Sequence, residues 1–254
     1  MSETIVLSLT ETPHHALLAD CIAPDRFAAL TTKEIASLGV FHGGRAARLG
    51  DFFKVTGELS SNVRLQGDLG RVHGIGTGMT GGDILIDGSS GRDLGVAMAG
   101  GRIQVRGSTG DNVGGARPGA SKGMTGGEIV IGGSAGDDAG VRMRRGLLVI
   151  LGDGGRGTGR AMIAGTIVLF GKTGPGAGRF LRRGTIVALE AMERPATYRY
   201  ACTYRPPHVA VLLRYLRARA GVPVSDRHIS GRYERYSGDL AELGKGEILQ
   251  WAGE

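Results

Sequence analysis

One phrase built on methionine and glycine recurs through the middle of the chain at nearly constant spacing. "GMTGGDILIDG" begins at Gly78 and "GMTGGEIVIGG" at Gly123, and five of the seven methionines lie nine residues before a glycine that closes a copy. Successive closing glycines are 21, 19, 26, 19 and 19 residues apart, and they are Gly67, Gly88, Gly107, Gly133, Gly152 and Gly171. A period of about 20 residues is typical of solenoid proteins.

Each copy contains one strand pattern and several turn residues. Ile84 and Ile86 alternate before Gly88, and every copy has apolar residues at the same two places. Alternation at period two predicts a short strand with one buried face. Two further glycines follow three and seven residues after each closing glycine, as Gly91 and Gly95 do. At these fixed glycines we expect turns with positive φ, which glycine adopts without strain.

One strand and several turns in about 19 residues predict one coil of a parallel β-helix. Stacked coils would bring equivalent positions to about 4.8 Å from one another. The methionines would then form a buried column in which the flexible thioether fills an irregular corner. The longer intervals, at "VHGIGTG" and "GARPGASK", fall at one place in the coil. The predicted fold is all-β, a single-stranded parallel β-helix of about seven coils with an α-helical cap near the C-terminus.

The chain divides into three predicted parts, namely residues 1–50 as a strand and helix lead-in, residues 51–190 as the repeats, and residues 191–254 as a cap helix and tail. "TIVLSLTE" alternates as a strand does, and "TTKEIASL" predicts a short helix with Thr31 or Thr32 as its N-cap. "DFFKVTG" and "NVRLQG" predict the first strands of the stack.

The part after the repeats predicts a helix followed by a short strand. "PHVAVLLRYLRARAG" has a stop at Gly221 and an apolar face of Val209, Leu212, Leu213 and Leu216. The last coil of an open solenoid presents unpaired backbone and bare core, so we expect this helix to lie over it as a lid. The final strand is predicted at Glu247 to Trp251.

The charge of the chain is clearly basic, with a formal net charge of +7. Such a charge favours nucleic acid, an acidic partner or an anionic substrate. Aromatic residues make up only 5% of the chain and are not interleaved with the basic ones, which argues against nucleic acid.

Stacking should gather seven arginines of the later coils along one edge: Arg142, Arg144, Arg145, Arg160, Arg179, Arg182 and Arg183. This edge would serve as a solubilising face, as a dock for an acidic subunit, or as a contact for an anionic ligand tail.

No set of residues predicts catalysis. The histidines lack HxH and HExxH spacing, and the pair His14 and His15 is more typical of an exposed polar loop than of a metal site. "GIGTG" from Gly74 and "GKTG" from Gly171 are only partial phosphate-binding motifs. The aspartates of "DNVGG" and "GDDAG" fall near one corner of successive coils, either as an acid pair or as ordinary turn residues.

The remaining signals predict a soluble protein without cofactors of its own. Cys21 and Cys202 are isolated, which predicts neither a metal site nor a disulfide framework. The sequence has neither a secretory leader pattern nor a long apolar run. We therefore expect a cytoplasmic protein that binds no membrane and no nucleic acid and that holds no metal ligands, cofactor or catalytic residues.

The coil formula resembles the glycine-rich β-helix domain that closes the large subunit of glutamate synthase. The resemblance to the C subunit of formylmethanofuran dehydrogenase is closer, because it extends to "LGDFFKVTG" at residues 49–57 and "YSGDLAELGKGEI" at residues 236–248. It thus covers most of residues 30–250. A composition rich in Ala, Arg and Gly favours the methylotroph relative, which is the C subunit of the formyltransferase/hydrolase complex. The right hand of the predicted β-helix is implied by this resemblance.

The resemblance also implies a function. In that complex a formyl group passes from formyl-tetrahydromethanopterin to a methanofuran-type carrier and is hydrolysed to formate. The implied partners are a formyltransferase subunit, an amidohydrolase-like subunit with zinc, and a dehydrogenase-like B subunit, with this chain as a non-catalytic scaffold. The carrier bears a polyglutamate tail, for which the arginine edge is a candidate contact.

Two alternatives remain open from the sequence. One is the C subunit of a molybdenum or tungsten formylmethanofuran dehydrogenase, in which the formate-forming step is a redox reaction. The other is the β-helix domain of a glutamate synthase-like amidotransferase.

Overall fold

The apolar pairs of the repeats form short strands that pair in parallel with equivalent residues aligned. The computed structural model describes residues 4–57 and 59–253, which are mostly β with few helices. Ile129 lies opposite Ile103 on one side and Leu148 on the other, and all three are fully buried. The seven strands of the repeats are β6 (Asn62–Gln66), β8 (Asp83–Ile86), β9 (Arg102–Val105), β10 (Glu128–Ile131), β11 (Leu147–Ile150), β12 (Thr166–Leu169) and β13 (Arg183–Ala188).

Strands from distant parts of the chain extend this parallel stack at both ends. β1 (Ile5–Leu9) pairs in parallel with β6, and β16 (Lys245–Gly253) pairs in parallel with β13. Antiparallel strands follow outside them, with β5 (Phe53–Thr56) against β1, and β15 (Arg232–Gly238) and then β14 (Arg199–Tyr204) beyond β16. The result is a mixed sheet of 12 strands.

The prediction that "DFFKVTG" begins the parallel stack is therefore wrong. Its strand, β5, runs antiparallel on the outer side of β1. The place next to β6 is taken by β1, because Ile5 and Leu7 point inward and align with Val63 and Leu65. The strand predicted at "NVRLQG" is present as β6, in the predicted direction.

The methionines form the predicted buried column. Each repeat methionine is at most 1% exposed, and Leu181 takes the same place in the last copy. The methyl group of each methionine also reaches the next repeat unit; we call the unit from one closing glycine to the next a coil, without reference to how the chain winds. A Cβ added to Gly146 would lie 2.7 Å from Cε of Met124, and one added to Gly165 would lie 2.9 Å from Cε of Met143. The methyl group of each methionine therefore occupies the space that a side chain at the glycine of the next coil would need.

The fixed glycines serve two different purposes, of which the sequence analysis recognised one. The glycine seven residues after each closing glycine has positive φ, as at Gly140 with φ of 71°. The closing glycines from Gly88 onward, and those three residues later, are not in that region. At Gly155 a Cβ would lie 2.5 Å from the backbone carbon of Gly136 in the preceding coil. These positions need glycine because neighbouring backbones approach closely, so the prediction of positive φ there is wrong.

A second, smaller sheet and two short helices lie at the N-terminal side. Four strands pair in the order β4 (Arg45–Arg48), β3 (Gly39–His42), β2 (Leu17–Leu18) and β7 (Val72–His73). The helices are α1 (Pro24–Phe27) and α2 (Thr32–Ser37), and a 3₁₀ turn spans Leu49–Asp51. Thr31 is the N-cap of α2 in a capping box with Glu34, which confirms one of the two predicted caps.

The predicted C-terminal helix is present but does not cover the end of the stack. α3 (Pro207–Arg219) packs with α4 (Asp226–Ser230) against the outer face of the sheet. Its buried residues form one cluster with the outward residues of four strands, namely Val130, Val149, Val168 and Val187. These strands are apolar on both faces, so the outer face needs a cover. The lid prediction is wrong, and the last strand of the repeats is covered instead by β16.

The helices of the described ranges, residues 4–57 and 59–253, include none with the length and hydropathy that a transmembrane segment requires.

Candidate functional site

Three of the predicted arginines lie at one corner of three successive coils. The backbone N–H of Arg142 donates to the carbonyl of Arg160 at 3.1 Å, and the N–H of Ala161 donates to the carbonyl of Arg179 at 2.7 Å. These bonds place the three arginines at adjoining positions just before the methionine column, here called the first row. Arg160 and Arg179 are equivalent, whereas Arg142 takes the place of Ala161 and Phe180 in the later coils. The guanidinium groups then make different contacts in each coil.

The charges in this first row are partly balanced. Arg160 donates two hydrogen bonds to Asp138, at 2.9 and 2.8 Å, and these raise the pKa of its guanidinium above the ordinary value. Arg142 donates to the carbonyl of Ala120 at 2.7 Å. The guanidinium of Arg179 lies 5.0 Å from the ring centre of Phe180, a cation–π contact. Arg142 and Arg179 thus keep exposed positive charge.

The other four arginines form a second row just after the methionine column. Arg144 and Arg182 occupy equivalent places, because their N–H groups donate to the carbonyls of Met124 and Met162. Arg182 also pairs with Glu242 at 3.1 Å. Arg144 and Arg145 line a shallow depression with Lys122, and Arg183 begins β13. The structure therefore distributes the seven arginines over two rows that flank the buried column.

Two adjoining cavities lie beside the first row. One of about 430 Å³ is lined by Arg156, Arg160 and Arg179 together with Asp137 and Asp138. The second, of about 350 Å³, shares Arg179 and Gly176 with the first and adds Phe180 and Arg194. Together they form a groove lined by four guanidinium groups and by the carboxylates of Asp137, Asp138, Glu193 and Asp239, so that paired charges of both signs border it.

Two residues of this groove, Arg156 and Arg194, were not predicted from the sequence. Arg156 lies four residues after Gly152, whereas the seven predicted arginines lie eight to twelve residues after a closing glycine. Its position is fixed by the repeat, so the same period that located the other arginines could have located Arg156. Arg194 lies beyond the last copy of the repeat, where the period no longer assigns a position, so the sequence held no comparable signal for it.

The aspartates at the corner of successive coils connect one coil to the next. Oδ1 of Asp111 accepts a hydrogen bond from the N–H of Asp137 at 2.7 Å, and Oδ1 of Asp137 accepts one from the N–H of Arg156 at 2.7 Å. A carboxylate that already accepts a backbone N–H has a structural role in the fold. The contacts therefore support the interpretation of these aspartates as turn residues.

One deeply buried carboxylate borders the second cavity. Burial opposes the ionisation of Asp239, but the nearby side chain of Thr197, hydrogen bonds from the backbone N–H groups of Ala241 and Phe180, and the charge of Arg179 outweigh it. The pKa of Asp239 is accordingly lower than its ordinary value. A charged carboxylate that is satisfied in this way holds its surroundings in place.

Neither histidines nor cysteines assemble a reactive centre in the part of the chain that the structure describes. That part has no group of three or more His, Cys, Asp and Glu side chains placed to hold a metal ion. His14 and His15 are both exposed, and the backbone N–H of His15 donates to Nε2 of His42 at 3.2 Å. Cys21 and Cys202 are unpaired. Burial, with the charge of Asp20, raises the pKa of the Cys21 thiol to about 11, so Cys21 is a poor nucleophile.

Comparison with solved structures identifies the relatives of this chain. It is similar to a chain in the crystal structure of the formyltransferase/hydrolase complex from Methylorubrum extorquens, solved in complex with methylofuran. The likeness has a TM-score of 0.80 and 32% identity, and it covers 97% of this chain and 99% of that one. The chain belongs to the family of formylmethanofuran dehydrogenase C subunits.

Curated members of this C-subunit family match over shorter segments. The C subunit of tungsten-containing formylmethanofuran dehydrogenase 2 from Methanothermobacter thermautotrophicus is 38% identical over 94 residues, which are 35% of this chain and 34% of that protein. The C subunit of molybdenum-containing formylmethanofuran dehydrogenase 1 from Methanosarcina barkeri is 41% identical over 80 residues, 30% of this chain and 27% of that protein. The matched segments thus span about a third or less of these relatives. A scan against models of known protein families finds no match.

Proposed function

We propose that this chain is a non-catalytic scaffold subunit of a cytoplasmic complex that transfers a formyl group between tetrahydromethanopterin and a methanofuran-type carrier and releases formate. The observation that carries this proposal is the similarity to one chain of the formyltransferase/hydrolase complex over nearly the whole length of both chains. Within the described residues, the aspartates that the repeat brings together are bonded within the fold: Asp111 and Asp137 accept backbone N–H groups, and Asp138 pairs with Arg160.

The proposed architecture is a right-handed, single-stranded parallel β-helix, with the coils of the repeats as its body. Its support is the alignment of nine parallel strands, together with a second line of parallel bridges that joins Leu69, Ser90, Thr109, Ala135, Gly154 and Thr173. Two such lines in each coil are expected of a wound chain. The division of the chain at residues 50 and 190 stays a prediction.

A stack of this kind suits a scaffold. Each coil is fixed to its neighbours by in-register hydrogen bonds, so surfaces on different coils keep a constant separation. A carrier that moves between two active sites requires such a separation of the subunits that hold them. The proposed partners are a formyltransferase subunit, an amidohydrolase-like subunit that holds zinc, and a dehydrogenase-like B subunit.

The arginine-lined groove is the proposed contact of this chain for the acidic tail of the carrier or for an acidic partner. Arg156 and Arg179 supply guanidinium groups toward the cavities, and Arg160 is held in place by Asp138. Multivalent carboxylates bind guanidinium groups through paired hydrogen bonds, and such binding weakens as salt rises.

A second candidate is the C subunit of a molybdenum- or tungsten-dependent dehydrogenase. The observation that favours it is the identity of about 40% to dehydrogenase subunits in the matched segments. Metal analysis of the native complex separates the two. Zinc without molybdenum or tungsten supports the hydrolytic complex, whereas a stoichiometric amount of either heavy metal supports the dehydrogenase.

The proposed function is tested by affinity purification of the native chain from its own cells. We expect the formyltransferase subunit, the amidohydrolase-like subunit and the dehydrogenase-like B subunit to co-purify. The complex should release formate from formyl-tetrahydromethanopterin in the presence of the carrier. The chain purified alone should show neither transfer nor hydrolysis. Turnover by the isolated chain at a rate near that of the complex would remove the scaffold role.

A further inference from the structure

Three exposed apolar side chains lie just before the adjacent strands β13 and β16. Leu240 and Leu243 are each 55% exposed and Phe180 is 38% exposed, although large apolar side chains are mostly buried elsewhere in the described residues. Phe180 and Ala241 line the same cavity, and Leu240 adjoins Ala241 in the chain. We refer to Phe180, Leu240 and Leu243 as the C-terminal patch.

The turn that carries both leucines is firmly held. Asp239, which is 1% exposed, accepts hydrogen bonds from the N–H groups of Phe180 at 2.8 Å and Ala241 at 2.9 Å. The N–H of Asp239 donates to the carbonyl of Leu181 at 3.2 Å, and the N–H of Gly244 donates back to the carbonyl of Asp239 at 3.0 Å. The leucines are thus kept at fixed positions in water, where they contribute no apolar burial to the isolated chain.

Unbalanced positive charge adjoins the C-terminal patch. Arg183 and Lys245 are register partners on β13 and β16, and both are exposed. Like charges directly opposite each other destabilise a sheet. The nearby carboxylate of Glu242 is already paired with Arg182 at 3.1 Å. This cationic pair gains stability once a partner supplies carboxylates.

We propose that the C-terminal patch and its cationic pair form the docking surface for an amphipathic segment of a partner protein that carries apolar side chains next to carboxylates. The apolar side chains would cover Phe180, Leu240 and Leu243, which are exposed. The carboxylates would bind Arg183 and Lys245. A second copy of this chain fits less well, because a two-fold contact would set each cationic pair against another.

This docking inference rests on the proposed function, in which the partner is another subunit of the complex. Its first test is a tagged Leu240→Ser/Leu243→Ser chain, compared with the wild-type chain. The matched control is Leu18→Ser/Phe41→Ser, since Leu18 and Phe41 are an exposed cross-strand pair in the second sheet. We expect recovery of one partner subunit to fall at least about tenfold for the first variant and to stay unchanged for the control. Equal recovery with both variants would overturn the inference.

A second test uses the wild-type complex and therefore does not depend on how a variant folds. Hydroxyl-radical labelling of Leu240, Leu243 and Phe180 should fall severalfold in the complex relative to the isolated chain. A carbodiimide should join Nζ of Lys245 to a carboxylate of the partner, within a peptide that also contains apolar residues. Equal labelling in both states, or protection that the isolated chain gains by self-association, would refute the docking surface.

The two proposals fail in different ways. If the wild-type chain recovers none of the expected subunits, the proposed function itself is wrong. If it recovers them while the C-terminal patch remains fully labelled, only the docking surface is wrong.

Discussion

Single residues join each coil to the next by contacts that the repeat places in register. The methionine methyl groups occupy the space above the glycine of the following coil, as Met143 does at Gly165. On the surface, Oγ of Ser108 accepts the N–H of Ser134, and Oγ of Ser134 accepts the N–H of Asp153, both at 3.0 Å. Buried sulfur and exposed hydroxyl groups thus hold the same pair of coils from two sides.

Met143→Ala tests the buried column. The change removes a fully buried side chain and leaves a cavity between two coils, so the free energy of unfolding should fall by about 2–5 kcal/mol. Arg144→Ala, at the exposed neighbouring position, is the control and should change it by less than about 0.5 kcal/mol. Urea denaturation followed by circular dichroism measures both. Equal curves for the two variants would contradict a stabilising role of the methionine side chain.

Gly155 does not have a positive φ. The substitution Gly155→Ala therefore tests whether glycine is needed at this position because two backbones approach closely. The added methyl group would meet the backbone of Gly136, which cannot turn away, so we expect a loss of about 1–3 kcal/mol. Gly81→Ala is the matched control, because nothing lies within 4 Å of its Cβ position. Its stability should stay unchanged or rise slightly. A Gly155→Ala protein as stable as Gly81→Ala would show that the coils adapt without cost.

Sequence periodicity predicted which residues are equivalent, but not what each one does. The methionine column followed from spacing and polarity alone. The role of Gly155 did not, because a close backbone contact depends on a coil 19 residues away. Non-glycine residues at positive φ, such as Asp93, Asn112 and Asp138, were also missed. Asp and Asn tolerate this region, and their common place five residues after a closing glycine is a signal that the sequence contains.

At the scale of secondary structure elements, the helix α3 and the strands it covers depend on one another. The tail helix was predicted from its own apolar stripe, and its buried residues Val209, Leu213 and Leu216 belong to that stripe. Its position was not predicted, although the strands contained the signal. β8 carries Leu85 and β9 carries Gln104 on the outer face, whereas β10 to β13 carry valine there. The outer face thus carries valine in each strand from β10 to β13, and these are the strands that α3 covers.

Leu213→Ala tests the packing of α3 on the outer face. Leu213 is fully buried in the cluster with Val149 and Val168, so we expect a loss of about 2–5 kcal/mol in the free energy of unfolding. Val211→Ala on the same helix is the control, because Val211 is 64% exposed. It should change stability by less than about 0.5 kcal/mol. Similar losses in both variants would indicate an effect on the helix itself and not on its contact with the sheet.

At the scale of the whole molecule, the two ends of the chain complete the structure that its middle begins. β1 and β16 align with the repeats, but they lie far from them in the sequence and lack the repeat formula. The repeat period therefore predicted the seven strands of the middle, and β1 and β16 were each predicted as strands, but their pairing with the repeats was not predicted. Nonlocal pairing of this kind leaves little local pattern in a sequence.

Deletion of residues 232–253 tests this completion. Without β15 and β16, the backbone of β13 and the side chain of Ile186 would face water. Exposed strand edges pair with other chains, so we expect oligomers whose size increases with protein concentration. Size-exclusion chromatography with light scattering measures this, and the full chain at equal concentrations is the comparison. A folded monomer after the deletion would mean that β16 is dispensable.

The two strands that end the parallel stack come from segments outside the repeats, and this allows the chain to change length. Because the contacts of each coil are mainly with the two beside it, a whole unit of 19 residues inserted in the middle would leave both termini intact. In the proposed β-helix, the only change would be a lengthening of the stack by about 4.8 Å. Duplication of single repeat units in the gene would therefore change the length of the protein by the same increment each time.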